Sequence, residues 1–406
     1  MDKSEFYARA RDDLAGPVGG IRVLDATTAW AGPMVSCVLA DLGCDVIHID
    51  RPGGLGYQLP PILPGTGRSY LEQTVNRNKR SISLDLRVPE GRDIFLQLAG
   101  TADVIVENFK PGTLDSWGVG YSHCSAVNPG IVYVSVSGWG QFGPLAHNAG
   151  YDPAALAAGG WLSLNGTPDG PPVKAPTFLS DDLAGLHGAI GALAALRHRD
   201  LTGEGQHVDV SLLDSLLFQS NGLLTMGAMG VPLKRWGGEV AGYVPCDVFA
   251  CNDGYVYLAI VLDSHWARLA RTMDRPELEM ATGYASVDER VANRHVVNGV
   301  VAEWCSRRAT ADVVTVLLEQ GLTISKVNTF AEAAQLEHVR ARDMLQETRL
   351  ANGTSAPITG PAAKFSRTPT RVRHAASDPG DDTEEILKQL GIDAERRDEL
   401  RARGVI

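Results

Sequence analysis

Short apolar runs rich in β-branched residues alternate, along the first half of the chain, with stretches whose apolar positions recur every three or four residues. IRVLDAT (21–27), DVIHID (45–50), SISLDL (81–86), DVIVENF (103–109), IVYVSVSGW (131–139) and QHVDVSL (206–212) predict strands. Between the first pair of these lies MVSCVLADLG, and after the third lies PEGRDIFLQLAG with proline at its start; both predict helices. Such βαβ alternation predicts an α/β fold with a mostly parallel, doubly wound, Rossmann-like sheet.

The strongest helical pattern is TFLSDDLAGLHGAIGALAALRHR (177–199), with a helix expected over roughly 181–199. Ser180 suits the N-cap, and Asp181 and Asp182 in the first turn are each favoured by about 0.3–1 kcal/mol through unpaired N–H groups and the helix dipole. Helical phase puts Asp182 at the edge of a stripe of Leu183, Leu186, Ile190 and Leu193, the expected core face. Asp181 stacks instead above Gly185, Gly188 and Ala192, a face with little side-chain bulk. A ligand or a second helix packed closely accounts for that face equally well. An ionised aspartate beside free N–H groups meets the needs of acyl transfer through an anhydride, so capping and nucleophilic roles both stay open.

After a turn at TGEG (202–205), the apolar stretch 213–230 predicts another helix. The texture turns glycine-rich at KRWGGEVAGYVP (234–245), and DVFACNDGYVYLAI (247–260) predicts a hairpin turning at Asn252-Asp253-Gly254. These shifts divide the chain into an N-terminal extension (1–20), a large domain (21–224), a smaller α+β domain (225–330) and a linker with a C-terminal return to the large domain (331–406). That return includes PAAKFSRTP (361–369) and an acidic helix near 381–403.

With 406 residues the chain is too long for one ordinary core. A net charge of −11 disfavours nucleic acid as a partner, and any anionic ligand needs a locally positive site. No apolar run resembles a signal peptide or a membrane span, so a cytoplasmic enzyme without membrane attachment is expected. The six cysteines (37, 44, 124, 246, 251 and 305) form no CxxC and no zinc spacing, and read as free thiols. No metal site is expected; His187 and His198 read as packed or solvated rather than as ligands. Asp50 ends the second strand where a ribose-binding acid would sit in a dinucleotide enzyme, but the first strand-to-helix loop, DATTAWAGP, lacks GxGxxG. GxxxxGK[ST] and GxSxG are absent too, which removes P-loop and α/β-hydrolase chemistry.

Several ordered motifs resemble one family. GIRVLDATTAWAGP (20–33), ADLGCDVIHIDRPGG (40–54), NRNKRSISLDLRVPEGR (76–92), ADVIVENFKPGTLDSWG (102–118), VSVSGWGQFGP (134–144), the 179–214 segment and PAAKFSRTP are similar to class III coenzyme A transferases, the formyl-CoA transferase and carnitine CoA-transferase group that includes the α-methylacyl-CoA racemases. The resemblance covers about 20–370. It implies a Rossmann-like large domain, a small domain and an interlocked, ring-like dimer. It also implies that Asp181, four residues before Gly185, is the catalytic nucleophile.

By the same resemblance, Trp30 and Ala31 approach CoA, Arg51 serves its adenosine and phosphate, and Leu84, Asp85, Leu86 and Arg87, then Asn108, Phe109 and Lys110, form two further contact strips. Ser137, Gly138, Trp139 and Gly140 lie beside the thioester, while Gly237 and Gly238 belong to a lid. Three departures stand out. Ser137 and Trp139 replace a basic residue and a tyrosine of formyl-transferring members, implying a different, larger acyl pocket. Ser116 stands where those members have a CoA-binding arginine. Tyr151 occupies the position of the racemases' catalytic histidine, which argues against α-proton exchange.

The implied reaction moves CoA from an acyl-CoA donor, with succinyl-CoA the suggested one, to a small carboxylic acid through an aspartyl anhydride and an aspartyl-CoA thioester. Acyl-CoA and CoA are then substrates, with no tightly bound cofactor. A homodimer, or a heteromer with a homologous subunit, is the expected assembly. Acyl-CoA racemase or epimerase activity and a non-catalytic CoA-binding subunit are the alternatives.

Overall fold

A computed structural model describes residues 2–54 and 60–406. Six strands, β1 (Arg22–Ala26), β2 (Asp45–Asp50), β3 (Lys79–Ser83), β4 (Val104–Glu107), β5 (Val132–Ser137) and β6 (Gln206–Ser211), form one sheet in the order β3-β2-β1-β4-β5-β6. Every pairing is parallel. The central strands β1, β2, β4 and β5 are announced by apolar runs because both faces of a parallel sheet are covered, whereas the segments of the edge strands β3 and β6 alternate apolar and polar residues. On one face Leu24, Ile47, Ile82 and Ile105 pack with Phe95 and Leu98 of the Pro89–Ala99 helix and with Ile386 and Leu387 of the tail.

The chain divides into two compact units: residues 1–161, 175–230 and 337–406 form the first, and 162–174 and 231–336 the second. In the first, the 383–402 tail folds as two helices, Thr383–Gln389 and Ala394–Ala402, tied to the sheet where the Ser83 N–H donates to Thr383 Oγ1 at 2.9 Å. In the second, β7 (Cys246–Ala250) and β8 (Tyr255–Ala259) form the expected hairpin, and β9 (Thr323–Lys326) adds antiparallel to β8. Its core surrounds the fully buried Trp266. The apolar 213–230 stretch is two short helices, Leu212–Phe218 and Leu223–Ala228, separated by residues 219–222, where Asn221 and Gly222 take left-handed φ values of 51° and 84°.

The helix that carries the paired aspartates spans Leu179–Thr202 and starts earlier than its sequence suggests. Ser180 is therefore not its N-cap; Phe178 occupies that position without a side-chain bond. Ser180 is buried, and both its N–H and its hydroxyl donate to Asp152 Oδ1 at 2.8 Å, so a carboxylate remote in sequence satisfies the helix start.

The expected core stripe is also reversed. Leu186 and Ile190 are 48% and 61% exposed, whereas Ala184, Gly185, Gly188, Ala189 and Ala192 are buried. This small-residue face packs on the Ala31–Asp41 helix: a Cβ at Gly185 would stand 2.4 Å from Met34 Cγ, and one at Gly188 2.5 Å from Val35 Cγ2. Absence of side chains lets the backbones approach, which the usual count of large apolar residues does not register.

Two polar clusters lie within the sheet. Asp25 is completely buried and accepts from Lys79 Nζ at 2.8 Å and Ser36 Oγ at 2.6 Å, with His48 Nδ1 3.0 Å away. Burial alone would raise its pKa, but Lys79 and His48 outweigh burial and hold the carboxyl well below its ordinary range. Glu107, at the end of β4, is the opposite case. Burial pushes its carboxyl up to about 7, despite the Phe109 N–H that donates to Oε2 at 2.8 Å.

Two outcomes test this account. Replacing Gly188 by Val should cost about 2–3 kcal/mol in chemical denaturation, because the β-branched side chain of Val35 already fills the space, whereas Ala194→Leu on the exposed face should stay within ~0.5 kcal/mol. For Glu107 the folded pKa exceeds the ordinary 4.5, so the unfolded chain ionises first and stability falls as pH rises from about 4.5 to about 7, then levels off. Glu107→Gln should reduce the loss of stability between pH 5 and 8 by up to ~3 kcal/mol, read from denaturation curves at both pH values.

Candidate active site

Strand order reverses direction between β1 and β4, and open parallel sheets bind ligands outside the carboxyl ends of strands at such a point. There the loops after β1 and β4 lock together: the Thr28 N–H donates to Asn108 Oδ1 at 2.8 Å, and Asn108 Nδ2 returns a bond to the Thr28 carbonyl at 2.7 Å. Beside this clasp is a cavity of about 240 Å³. Its walls are Thr28, Trp30 and Ala31 after β1, Asn108, Phe109 and Lys110 after β4, Ser137 and Gly138 after β5, then Asn148–Tyr151, Leu212 and Asp181.

Asp181 thus faces the cavity, and Asp182 does something else. Trp30 Nε1 donates to Asp182 Oδ1 at 2.6 Å. Burial raises the Asp182 pKa, opposed by the indole bond. Adjacent residues on a helix project about 100° apart, which is why one carboxylate enters the cavity while its neighbour holds the ring across the helix pair.

A second cavity, of about 290 Å³, runs under the loops after β1, β2 and β3 and shares Thr28 and Phe109 with the first. Arg51, Leu84, Asp85, Leu86 and Arg87 line it together with Trp117. Arg87 pairs with Asp85 through two bonds, of 2.8 and 2.6 Å, and Phe109 meets Trp117 edge to face with ring centroids 5.2 Å apart. A third cavity, of about 250 Å³, lies beside the buried charges, lined by His48, Asp50, Arg51 and Lys79.

The sequence-derived candidates therefore divide into four groups. Trp30, Ala31, Asn108, Phe109, Lys110, Ser137, Gly138 and Tyr151 share the cavity of Asp181. Arg51 and Leu84–Arg87 share the neighbouring one. Trp139 and Gly140 lie behind the first wall: Trp139 Nε1 donates to the Ala149 carbonyl at 3.2 Å, and the Gly140 N–H donates to Ser137 Oγ at 2.9 Å. Gly237 and Gly238 belong to the second compact unit, Gly238 packed so closely on Asp247 that a Cβ would stand 2.5 Å from Oδ1. Ser116 bonds only locally, to the Thr113 carbonyl.

Sequence reasoning missed Thr28, Asn148, Asp152 and Trp117. The polar residues flanking AGYDPAA were a usable signal for Asn148, but the bond from Ser180 to Asp152 crosses 28 residues and has no local signature.

All six cysteines are free, and the described residues contain no cluster of groups able to hold a metal ion. None of the helices among them is long and apolar enough to cross a membrane.

Comparison with known proteins places the whole chain in a family. A β subunit of succinyl-CoA–L-malate CoA-transferase from Chloroflexus aurantiacus is 35% identical, covering 96% of this chain and 98% of its own. Succinyl-CoA:mesaconate CoA-transferase from Haloarcula marismortui is 34% identical over 93% of this chain and 97% of its own, and mouse succinyl-CoA:glutarate CoA-transferase 31% over 97% and 91%. Among solved structures, a CAIB/BAIF family protein from Brucella suis superposes with a TM-score of 0.84 at 30% identity, covering 93% of this chain and all of that one. The family model for CoA-transferase family III matches residues 18–383, and with these relatives it shows that the chain belongs to CoA-transferase family III.

Proposed function

We propose that this enzyme transfers CoA from succinyl-CoA to a carboxylic acid acceptor, with Asp181 as the nucleophile. One observation carries the reading: the Asp181 carboxylate lines the same cavity as Asn108–Lys110 and Ser137–Gly138, the strips that the family resemblance assigns to CoA. Relatives named for succinyl-CoA and for malate, mesaconate or glutarate supply the donor and the class of acceptor, a short dicarboxylate.

The Asp181 carboxylate attacks the thioester carbonyl, the C–S bond breaks, and CoA thiolate leaves a mixed anhydride on the enzyme. Thiolate then attacks the aspartyl carbonyl of that anhydride, releasing the donor acid and leaving an aspartyl-CoA thioester. The acceptor carboxylate attacks this thioester, expelling CoA thiolate and forming a second anhydride. Thiolate attack on the acceptor's acyl carbon finally releases the new acyl-CoA and restores Asp181. Backbone N–H groups of the 137–140 loop and of the helix start stabilise each oxyanion.

In this reading the adenosine end of CoA occupies the neighbouring cavity, its phosphates against Arg51 and Arg87 and its base beside Phe109 and Trp117. The Gly237–Gly238 segment acts as a lid that keeps water from the anhydrides, and two copies of the chain, or this chain and a homologous one, form the interlocked dimer of the family. Racemase chemistry is not favoured: Tyr151 lines the cavity where a histidine base would be required, and histidine is absent from its described lining.

Asp181→Asn should remain folded by circular dichroism yet lose transfer by about 10⁴-fold or more, and hydroxylamine should trap an acyl hydroxamate with the wild type only; normal turnover by the variant overturns the role. Arg51→Ala and Arg87→Ala should each raise the KM for succinyl-CoA about tenfold, equivalent to ~1.4 kcal/mol, with far less effect on kcat. Equal losses in kcat would instead place these arginines in the chemical step.

A further inference from the structure

We propose that Asp182 is a positioning residue that sets acceptor selectivity by holding Trp30 as the acyl-side wall of the Asp181 cavity. The inference rests on the proposed function, since it takes the space beside Asp181 to be where the acid binds.

Three constraints act on the Trp30 ring. Its backbone is fixed as the residue that precedes the Ala31–Asp41 helix, and that helix is pinned against Leu179–Thr202 by the contact of Gly185 with Met34. Phe178 packs on the indole with ring centroids 5.4 Å apart and planes tilted by 60°. What remains is rotation about the side-chain torsions, and the bond from Nε1 to Asp182 Oδ1 removes it.

This bond is charge-assisted at 2.6 Å, so it is stronger than one to a neutral acceptor. Nothing in helix formation requires a second acid here, because the first-turn position of Asp181 already satisfies the dipole preference. Asp182 instead gives up part of its hydration, as its raised pKa reports, in exchange for a fixed indole. A ring held in one rotamer makes a wall of definite shape, and a wall of definite shape discriminates by size: compact straight-chain dicarboxylates fit, and acids bearing a bulky substituent on the chain collide with it.

Selectivity is measured as the ratio of kcat/KM for succinate to that for 2-phenylsuccinate, with one CoA donor throughout. Asp182→Ala, which removes the acceptor, should lower this ratio about tenfold, chiefly through KM. Asp182→Asn, whose amide oxygen still accepts, should recover part of it. Trp30→Phe keeps a ring but loses the donor and should lower the ratio as Asp182→Ala does, and the double variant should go no further than either single one, because both break the same bond. Should Asp182→Ala fail to fold, the comparison of Asp182→Asn with Trp30→Phe reads the same wall.

An unchanged ratio, an equal loss of kcat for both acids, or additive effects in the double variant would overturn the assignment. Asp181→Asn assayed in parallel separates the two ideas: persistent transfer there defeats the nucleophile, while altered or unaltered selectivity at 182 and 30 speaks only to the wall.

Discussion

Two helices, one offering bare glycine backbone to the side chains of the other, govern the rest of this molecule. With glycine at 185 and 188, the Leu179–Thr202 helix comes so close to Ala31–Asp41 that Met34 and Val35 occupy the space a Cβ would need. Close approach aligns the two helix starts, and those starts carry Trp30, Asp181 and Asp182. The loops after β1 and β4 complete the arrangement through the reciprocal Thr28–Asn108 clasp. A cavity with a carboxylate in its wall is thus a product of packing between elements far apart in sequence.

Charge inside the sheet serves the same end. Asp25 is held ionised by Lys79, whose ammonium also reaches the Pro33 carbonyl and Asn76 Oδ1 at 2.9 Å, so one side chain joins β1, β3 and the first turn of the Ala31–Asp41 helix. All three donor positions of the ammonium are used, which is the condition under which a buried ion pair avoids an uncompensated desolvation cost. Asp50, which a dinucleotide enzyme would present to a ribose, here accepts from Ser81 Oγ at 2.6 Å.

The α/β fold was legible in the sequence because the central parallel strands, buried on both faces, read as apolar runs, and each predicted segment except SISLDL contains its strand; β3 starts two residues earlier, at Lys79. The orientation of the Leu179–Thr202 helix was not. Periodicity weighs large side chains, so Leu186 and Ile190 read as core, whereas burial follows the glycines and alanines that admit Met34 and Val35 of the facing helix. Ser180 departs from its expected role for a related reason: serine is a good cap in isolation, but the helix begins earlier and Asp152 accepts from both the N–H and the hydroxyl of Ser180 across a tertiary contact. Motif resemblance supplied the candidate strips, and the fold gathers most of them into two adjoining cavities.

Tyr151 sits between two anchors that do not involve its own side chain. On one side Gly150 presses against Gly138 so tightly that a Cβ on either would come within 2.6–2.8 Å of the other's Cα; on the other, Asp152 is locked to Ser180. The phenol itself is 73% exposed. Whatever residue evolution installs at this point inherits a fixed Cα and bears no packing duty within this chain, so the side chain that shares a cavity with Asp181 is free to change by single substitutions while the loop keeps its course. A scaffold built this way has the lining of its cavity and its folding under separate selection.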